Sequence, residues 1–173
     1  GKTTYAMNLV ENALIATKRP CIVFSMEMPS ESLVMRMLSS IGKIDQTRIR
    51  SGKLIEDDWP KLSSAVNILK DLPLYIDDTP ALTPQDMRAR CRKVYRENDN
   101  DLGLVMVDYM QLMQVTGASE GRSQEISEIS RSMKAIAKEF SCPIIALSQL
   151  NRSLEQRPNK RPVMSDLRES GAI

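Results

Sequence analysis

Short uninterrupted apolar runs alternate along this chain with longer stretches whose apolar residues recur every three or four positions. The runs are Cys21–Ser25 (Cys-Ile-Val-Phe-Ser) and residues 74–78, 102–107 and 143–147. An apolar residue at nearly every position predicts a strand covered on both faces, as in a parallel sheet. The intervening stretches predict helices. Residues 5–16 place Met7, Val10, Leu14 and Ile15 on one side, and residues 30–41 turn Leu33, Met37 and Leu38 inward. Residues 58–70 carry a stripe of Trp59, Leu62, Val66 and Leu69. A helix after Thr83 places Met87, Cys91 and Val94 inward, and a later one repeats Ile126, Ile129, Met133 and Ile136.

Capping chemistry sharpens these boundaries. Thr83-Pro84-Gln85-Asp86 supplies a cap hydroxyl, a proline in the first turn and an acid there, which together start a helix. Ser30 is the expected N-cap of its helix and Gly42 the expected stop. Residues 43–56 read as a polar connector and 116–122 as a loop rich in Gly and Ser. Residues 151–161 read as a polar, basic loop, with Pro158 inside it and Pro162 just beyond. Strands alternating with helices give an α/β architecture: a mostly parallel sheet flanked by helices on both faces, with residues 1–173 forming one partial domain, incomplete at both ends.

Composition changes this picture in three places. The 173 residues are enough to bury about two-thirds of the unfolded surface. A net charge of +2 gives no bulk argument for nucleic acid, so any such site is local. The chain has no histidine, which excludes His-dependent triads, His metal sites and imidazole acid–base chemistry within it. Its three cysteines, Cys21, Cys91 and Cys142, are widely separated and read as buried reduced thiols rather than zinc ligands, which suits a cytoplasmic protein. No apolar run approaches the roughly 18 residues of a membrane span, and the lack of an initiator Met marks the chain as an expected fragment or processed piece.

The candidate chemistry begins at the first residue. Gly1-Lys2-Thr3-Thr4 matches the back half of a phosphate-binding loop, in which backbone N–H groups cradle phosphates, the lysine reaches the β and γ phosphates, and the hydroxyl ligates Mg²⁺. The following helix would aim its N-terminal N–H groups at the same anion. Hydrolysis of a nucleoside triphosphate also needs a metal-holding acid, a water activator and a γ-phosphate contact. Asp108, ending an apolar strand, fits the metal acid, although Asp77 and Asp78 end a run of equal shape. Glu27 follows Cys21–Ser25 and fits the water activator, if that strand flanks the one leading into the phosphate loop. It equally fits a first-turn acid favoured by the helix dipole. Gln149 fits the γ-phosphate contact, since an amide both donates and accepts. Asp166-Leu167-Arg168-Glu169-Ser170-Gly171 offers an arginine and backbone N–H groups that suit a phosphodiester, or an ordinary surface loop. The arginine-rich helix 84–97 reads as a solvated face, and the eleven methionines as core filler.

Five segments in order and spacing, Gly1-Lys2-Thr3-Thr4, Phe24-Ser25-Met26-Glu27-Met28, Val107-Asp108-Tyr109-Met110-Gln111-Leu112, Ala146-Leu147-Ser148-Gln149-Leu150-Asn151-Arg152 and Asp166-Leu167-Arg168-Glu169-Ser170-Gly171, resemble the motifs of the DnaB family of bacterial replicative helicases. The resemblance covers essentially the whole chain and corresponds to the C-terminal, RecA-like P-loop motor domain. It implies ATP and Mg²⁺, a homohexameric ring around single-stranded DNA, 5′ to 3′ movement, and primase and a helicase loader as partners. It implies Glu27 as catalytic glutamate and Gly1, Lys2, Thr3, Thr4 and Gln149 as nucleotide contacts. Thr3 and Asp108 would serve the metal, and Arg168, Glu169 and Gly171 the DNA backbone. The family's collar, linker helix, front of the phosphate loop and trans arginine finger lie outside the sequence. The isolated polypeptide is therefore expected to hydrolyse ATP poorly, because a finger is worth on the order of 10³–10⁵ in rate. A RecA-type recombinase-like ATPase and a catalytically silent assembly fragment remain the alternative readings.

Overall fold

The computed structural model describes residues 1–115 and 121–167. Four strands, β1 (Cys21–Ser25), β2 (Leu74–Asp77), β3 (Leu104–Asp108) and β4 (Ile144–Ala146), form one sheet in the order β2-β1-β3-β4. Every neighbouring pair is parallel. The helices are α1 (Lys2–Thr17), α2 (Ser30–Gly42), α3 (Gln46–Ser51), α4 (Asp58–Lys70), α5 (Pro84–Glu97) and α6 (Arg122–Glu139). Short 3₁₀ turns occupy Met110–Leu112, Arg152–Gln156 and Met164–Leu167.

The central strands β1 and β3 are buried at every position, as continuous apolar runs require, whereas the edge strands β2 and β4 are only partly covered. Successive side chains along a strand point to opposite faces, and two separate cores follow. Ile22, Phe24, Val105 and Val107 pack with Met87, Cys91 and Val94 of α5 and with Ile126, Ile129, Met133 and Ile136 of α6. Cys21, Val23, Leu104 and Met106 pack with Ala6, Met7, Val10 and Leu14 of α1 and with Leu33 and Met37 of α2. Each fully buried apolar side chain contributes about 1.5–3 kcal/mol relative to exposure, so the layers on both faces of β1 and β3 hold the strand ends in fixed register.

Several expectations need correction. Ile15 is 42% exposed, because Ala6 takes the inward position beside Met7, Val10 and Leu14. The α2 N-cap is Pro29 rather than Ser30, and the Ser30 N–H donates instead to Asp78 Oδ2 at 2.8 Å. The helix runs through Gly42, and Lys43 takes the left-handed stop at φ 51°. The polar connector contains α3, capped by Asp45 accepting from the Thr47 N–H. On α4, Trp59 and Val66 are 56% and 45% exposed, while Asp58 and Ala65 are buried. The reason is that α4 packs chiefly on α2, not on the sheet. A Cβ on Gly42 would stand 3.3 Å from the Lys61 carbonyl oxygen and 3.4 Å from Ala65 Cβ, so small residues set that helix–helix approach. The capping box of α5 forms as expected, Thr83 and Asp86 bonding reciprocally.

Candidate nucleotide site

Parallel topology brings the C-terminal ends of β1, β3 and β4 to one side, where the N-terminus of α1 also lies. The two motif halves meet there. Thr3 Oγ1 donates to Asp108 Oδ2 at 2.6 Å across 105 residues of sequence. Asp108 is buried, and its other oxygen, Oδ1, has no hydrogen-bond partner among the described residues. Lys2 Nζ sits 4.8 Å from the centre of the Tyr109 ring, a cation–π contact. The Asp108–Tyr109 peptide is cis. Asp77 and Asp78, equal in shape on sequence, are engaged elsewhere. Asp77 pairs with Arg90 and accepts from the Thr79 N–H, and Asp78 caps Ser30. That backbone bond holds the Asp78 carboxyl below its ordinary range.

Glu27 follows β1, but both edges of β1 are paired, with β2 and with β3. It is therefore the pairing with β3, not adjacency to a strand entering the loop, that brings Glu27 toward Asp108. Ser25 lies opposite Asp108 in register, and the Met26 N–H donates to the Asp108 carbonyl at 2.9 Å. Ser25 Oγ donates to the Met28 carbonyl at 2.7 Å and tightens the turn, leaving Glu27 exposed at its tip. Gln149 is also exposed, three residues beyond β4. Its backbone N–H donates to Gln111 Oε1 at 3.3 Å. Arg168, Glu169 and Gly171 lie outside the described residues, as does the loop segment 116–120.

Sequence reasoning missed three residues here. Arg36 of α2 donates to Thr4 Oγ1 at 2.8 Å and approaches Met28 Sδ at 3.8 Å, joining the α1 start to the Glu27 turn. Tyr109 carries Lys2, and Gln111 holds the Gln149 backbone. Tyr109 and Gln111 sit inside a recognised motif, which was their one signal; Arg36 had none beyond its place on a helix. Three of the four arginines of α5 are occupied: Arg88 and Arg92 both bond Glu139, and Arg90 bonds Asp77. Glu139 is held below the ordinary carboxylate range by Arg92 and then Arg88. All three cysteines are buried free thiols, and burial pushes Cys21 up to about 11 and Cys91 up to about 12.

The residues present fit a magnesium ion. Thr3 gives its proton to Asp108, which leaves hydroxyl lone pairs for a cation, and Asp108 Oδ1 beside it is unclaimed among the described residues. Hard oxygen donors suit Mg²⁺, which keeps most of its waters and uses one or two protein ligands plus phosphates. Accordingly, no group of three or more acids or cysteines gathers as a self-sufficient metal cage among the described residues.

The profile of the DnaB-like helicase C-terminal domain matches residues 1–173. The chain belongs to this family. It is 58% identical over 174 residues to the replicative DNA helicase DnaB of Buchnera aphidicola subsp. Acyrthosiphon pisum (strain APS), covering 100% of this chain and 38% of that protein. The DnaB of Geobacillus stearothermophilus is 50% identical over 174 residues, with the same coverage. The chain thus spans little more than a third of the length of these relatives. Among solved structures, one described as an ATPase domain superposes with a TM-score of 0.93 at 34% identity, over 99% of this chain and 61% of that one. A DnaB-like replicative helicase, described with its interactions with primase, superposes equally well at 34% identity over 100% of this chain and 42% of that one. The fold is therefore the RecA-like ATPase fold of DnaB-type helicases. No helix among the described residues is long and apolar enough to cross a membrane.

Proposed function

We propose that this chain is the motor part of an ATP-driven replicative DNA helicase that moves 5′ to 3′ on single-stranded DNA and separates duplex at a replication fork. The observation that carries the reading is the Thr3–Asp108 hydrogen bond at the N-terminus of α1, with the second carboxylate oxygen unpartnered among the described residues. Phosphoryl transfer demands positioning and charge stabilisation more than covalent chemistry. Gly1 to Thr4 and the α1 dipole hold the phosphate tail, and Lys2 moves from the Tyr109 ring to the β and γ oxygens. Thr3 and Asp108 would hold Mg²⁺, which would supply positive charge against that developing on the phosphates. Glu27, exposed on its turn beside β3, orients the attacking water and takes its proton. Gln149 contacts the γ-phosphate, and Arg168, Glu169 and Gly171 grip the DNA backbone without reading bases.

The whole assembly proposed is a cytoplasmic homohexamer that works with primase and a helicase loader. Support comes from the family membership and from the relative described with primase. The test uses the intact hexamer and a forked substrate. Glu27→Gln should retain Mg·ATP binding and lose unwinding, and Arg168→Ala should weaken single-strand affinity and DNA-stimulated turnover more than ATP binding. Unwinding by Glu27→Gln would remove Glu27 from the role of base. Strand exchange without fork unwinding by the unmodified protein would replace the helicase reading with a recombinase one.

A further inference from the structure

Gln111 lies three residues past Asp108, in the 3₁₀ turn Met110–Leu112. Its carboxamide faces the backbone of the segment after β4 with both of its chemical halves. Nε2 donates to the Gln149 carbonyl at 3.1 Å and to Ser148 Oγ at 2.7 Å, while Oε1 accepts from the Gln149 N–H at 3.3 Å. A primary amide is the neutral side-chain group that both donates to and accepts from a peptide unit in this way.

The position of this contact matters. The β3–β4 ladder ends at Val107↔Ala146, with further backbone bonds from the Leu147 N–H to Val107 O and from the Met110 N–H to Leu147 O, both 2.9 Å. Past Leu147 the side chain of Gln111 takes over, joining residues 148 and 149 to the strand that ends in Asp108. The turn is braced from behind: Arg122, at the start of α6, donates to the Gln111 carbonyl and to the Met113 carbonyl and pairs with Glu125. Two residues beyond Gln149, the Asn151 N–H donates to the Asp166 carbonyl at 2.8 Å. Asp166 in turn accepts from the Val163 N–H and from Arg157. With the backbone from Gln149 to Asn151 between them, these bonds link the metal acid's strand, through Gln111, to the residue two places before Arg168.

We propose that Gln111 is a positioning residue that fixes the Gln149 backbone relative to Asp108, so that a change at the γ-phosphate is passed to the segment leading into Arg168. It rests on the assignment of Gln149 to the γ-phosphate given above. In this role Gln111 acts through the peptide it clamps. Methionine at this position would keep the side chain's length and lose every bond. Glutamate would keep the acceptor for the Gln149 N–H, lose both donors, and set a carboxylate against the Gln149 carbonyl.

The experiment compares Gln111→Met, Gln111→Glu, Gln149→Ala and the double variant Gln111→Met/Gln149→Ala in the intact hexamer. Readouts are the KM for ATP, the kcat with and without single-stranded DNA, and the affinity for a labelled oligonucleotide with and without a non-hydrolysable ATP analogue. Both Gln111 variants should lower DNA-stimulated kcat on the order of tenfold, because small displacements of catalytic groups have effects of that size or larger. The KM should stay within about twofold, since the phosphate loop is untouched. The analogue's effect on oligonucleotide affinity should vanish. The double variant should be no worse than Gln149→Ala alone, the signature of two residues acting in series. Additive losses, or Gln111 variants with normal stimulation beside an impaired Gln149→Ala, would overturn the proposal. If Gln149→Ala itself behaves normally, the assignment of Gln149 fails first, and the Gln111 proposal falls with it. Should Gln111→Met not assemble, Gln111→Glu, which retains polarity and one bond, supports the same comparison.

Discussion

Replacing Thr3 with valine isolates the hydroxyl at the centre of the site. Valine keeps the β-branched shape and nearly the same helix propensity, so the loss is the 2.6 Å bond to Asp108. That bond serves a buried carboxylate whose Oδ1 already has no partner among the described residues. A hydrogen bond to a charged group contributes about 1.5–3 kcal/mol. For a domain of this size, about 2–4 °C of melting temperature accompanies each kcal/mol, so Thr3→Val should lower the melting transition by roughly 3–12 °C without nucleotide. Mg·nucleotide separates structure from ligation. At a hundred times its dissociation constant a ligand stabilises by about 2.7 kcal/mol, and each tenfold loss of affinity removes about 1.4 kcal/mol of that. If Thr3 ligates the metal, the gap between variant and parent widens when Mg·ATP analogue is added. Differential scanning fluorimetry of the intact protein, with and without Mg²⁺ at fixed nucleotide, measures both gaps. A gap that stays constant or narrows would refute the ligand role, and an unchanged melting temperature without nucleotide would refute the energetic reading of the Asp108 bond.

Arg36→Met removes the link between Thr4 and the Glu27 turn; turnover should fall on the order of tenfold while nucleotide affinity, read with a fluorescent analogue, stays within about twofold. A parallel loss of affinity with normal turnover would contradict that. Gly42→Val should destabilise by about 1–3 kcal/mol through overpacking against Ile44, Lys61 and Ala65, whereas Gly42→Ala, needing shifts of a few tenths of an ångström, should lie near parent stability in urea melts. Glu139, lowered by Arg92 and Arg88, contributes stability above the unfolded carboxyl's pKa and loses it as pH falls through the lower folded value. Wild type and Glu139→Gln should therefore converge in melting temperature as pH drops below the ordinary glutamate range, and parallel curves would exclude this linkage.

How much was legible depended on whether a signal is local. The runs at β1 and β3 and the period of Ile126, Ile129, Met133 and Ile136 announced their elements, because burial on both faces of a sheet leaves a one-dimensional trace. Thr83 and Asp86 announced a helix start because a capping box is contained within four residues. The six-residue α3 was invisible, being too short for a period; Asp45 with Thr47 was its one cue. The stripe on α4 named a set of apolar residues but not their partner, and the partner was α2, which needed Ala65 and Gly42 close together and left Trp59 outside. At the site, Lys2, Thr3 and Asp108 could each be read from motifs; apolar pattern alone left Asp77 and Asp78 as equals, the family resemblance pointed to Asp108, and the bond from Thr3 supplied the geometry. Arg36 and Gln111 act across 32 and 38 residues through side chains, and no pattern in one dimension encodes such reach.

The bond from the Met26 amide to the Asp108 carbonyl makes the two acids of the site passengers on one rigid plank. Separating them would mean breaking the β1–β3 pairing at the middle of the sheet. In the proposed motor, control would then fall to what meets that plank, such as the attacking water.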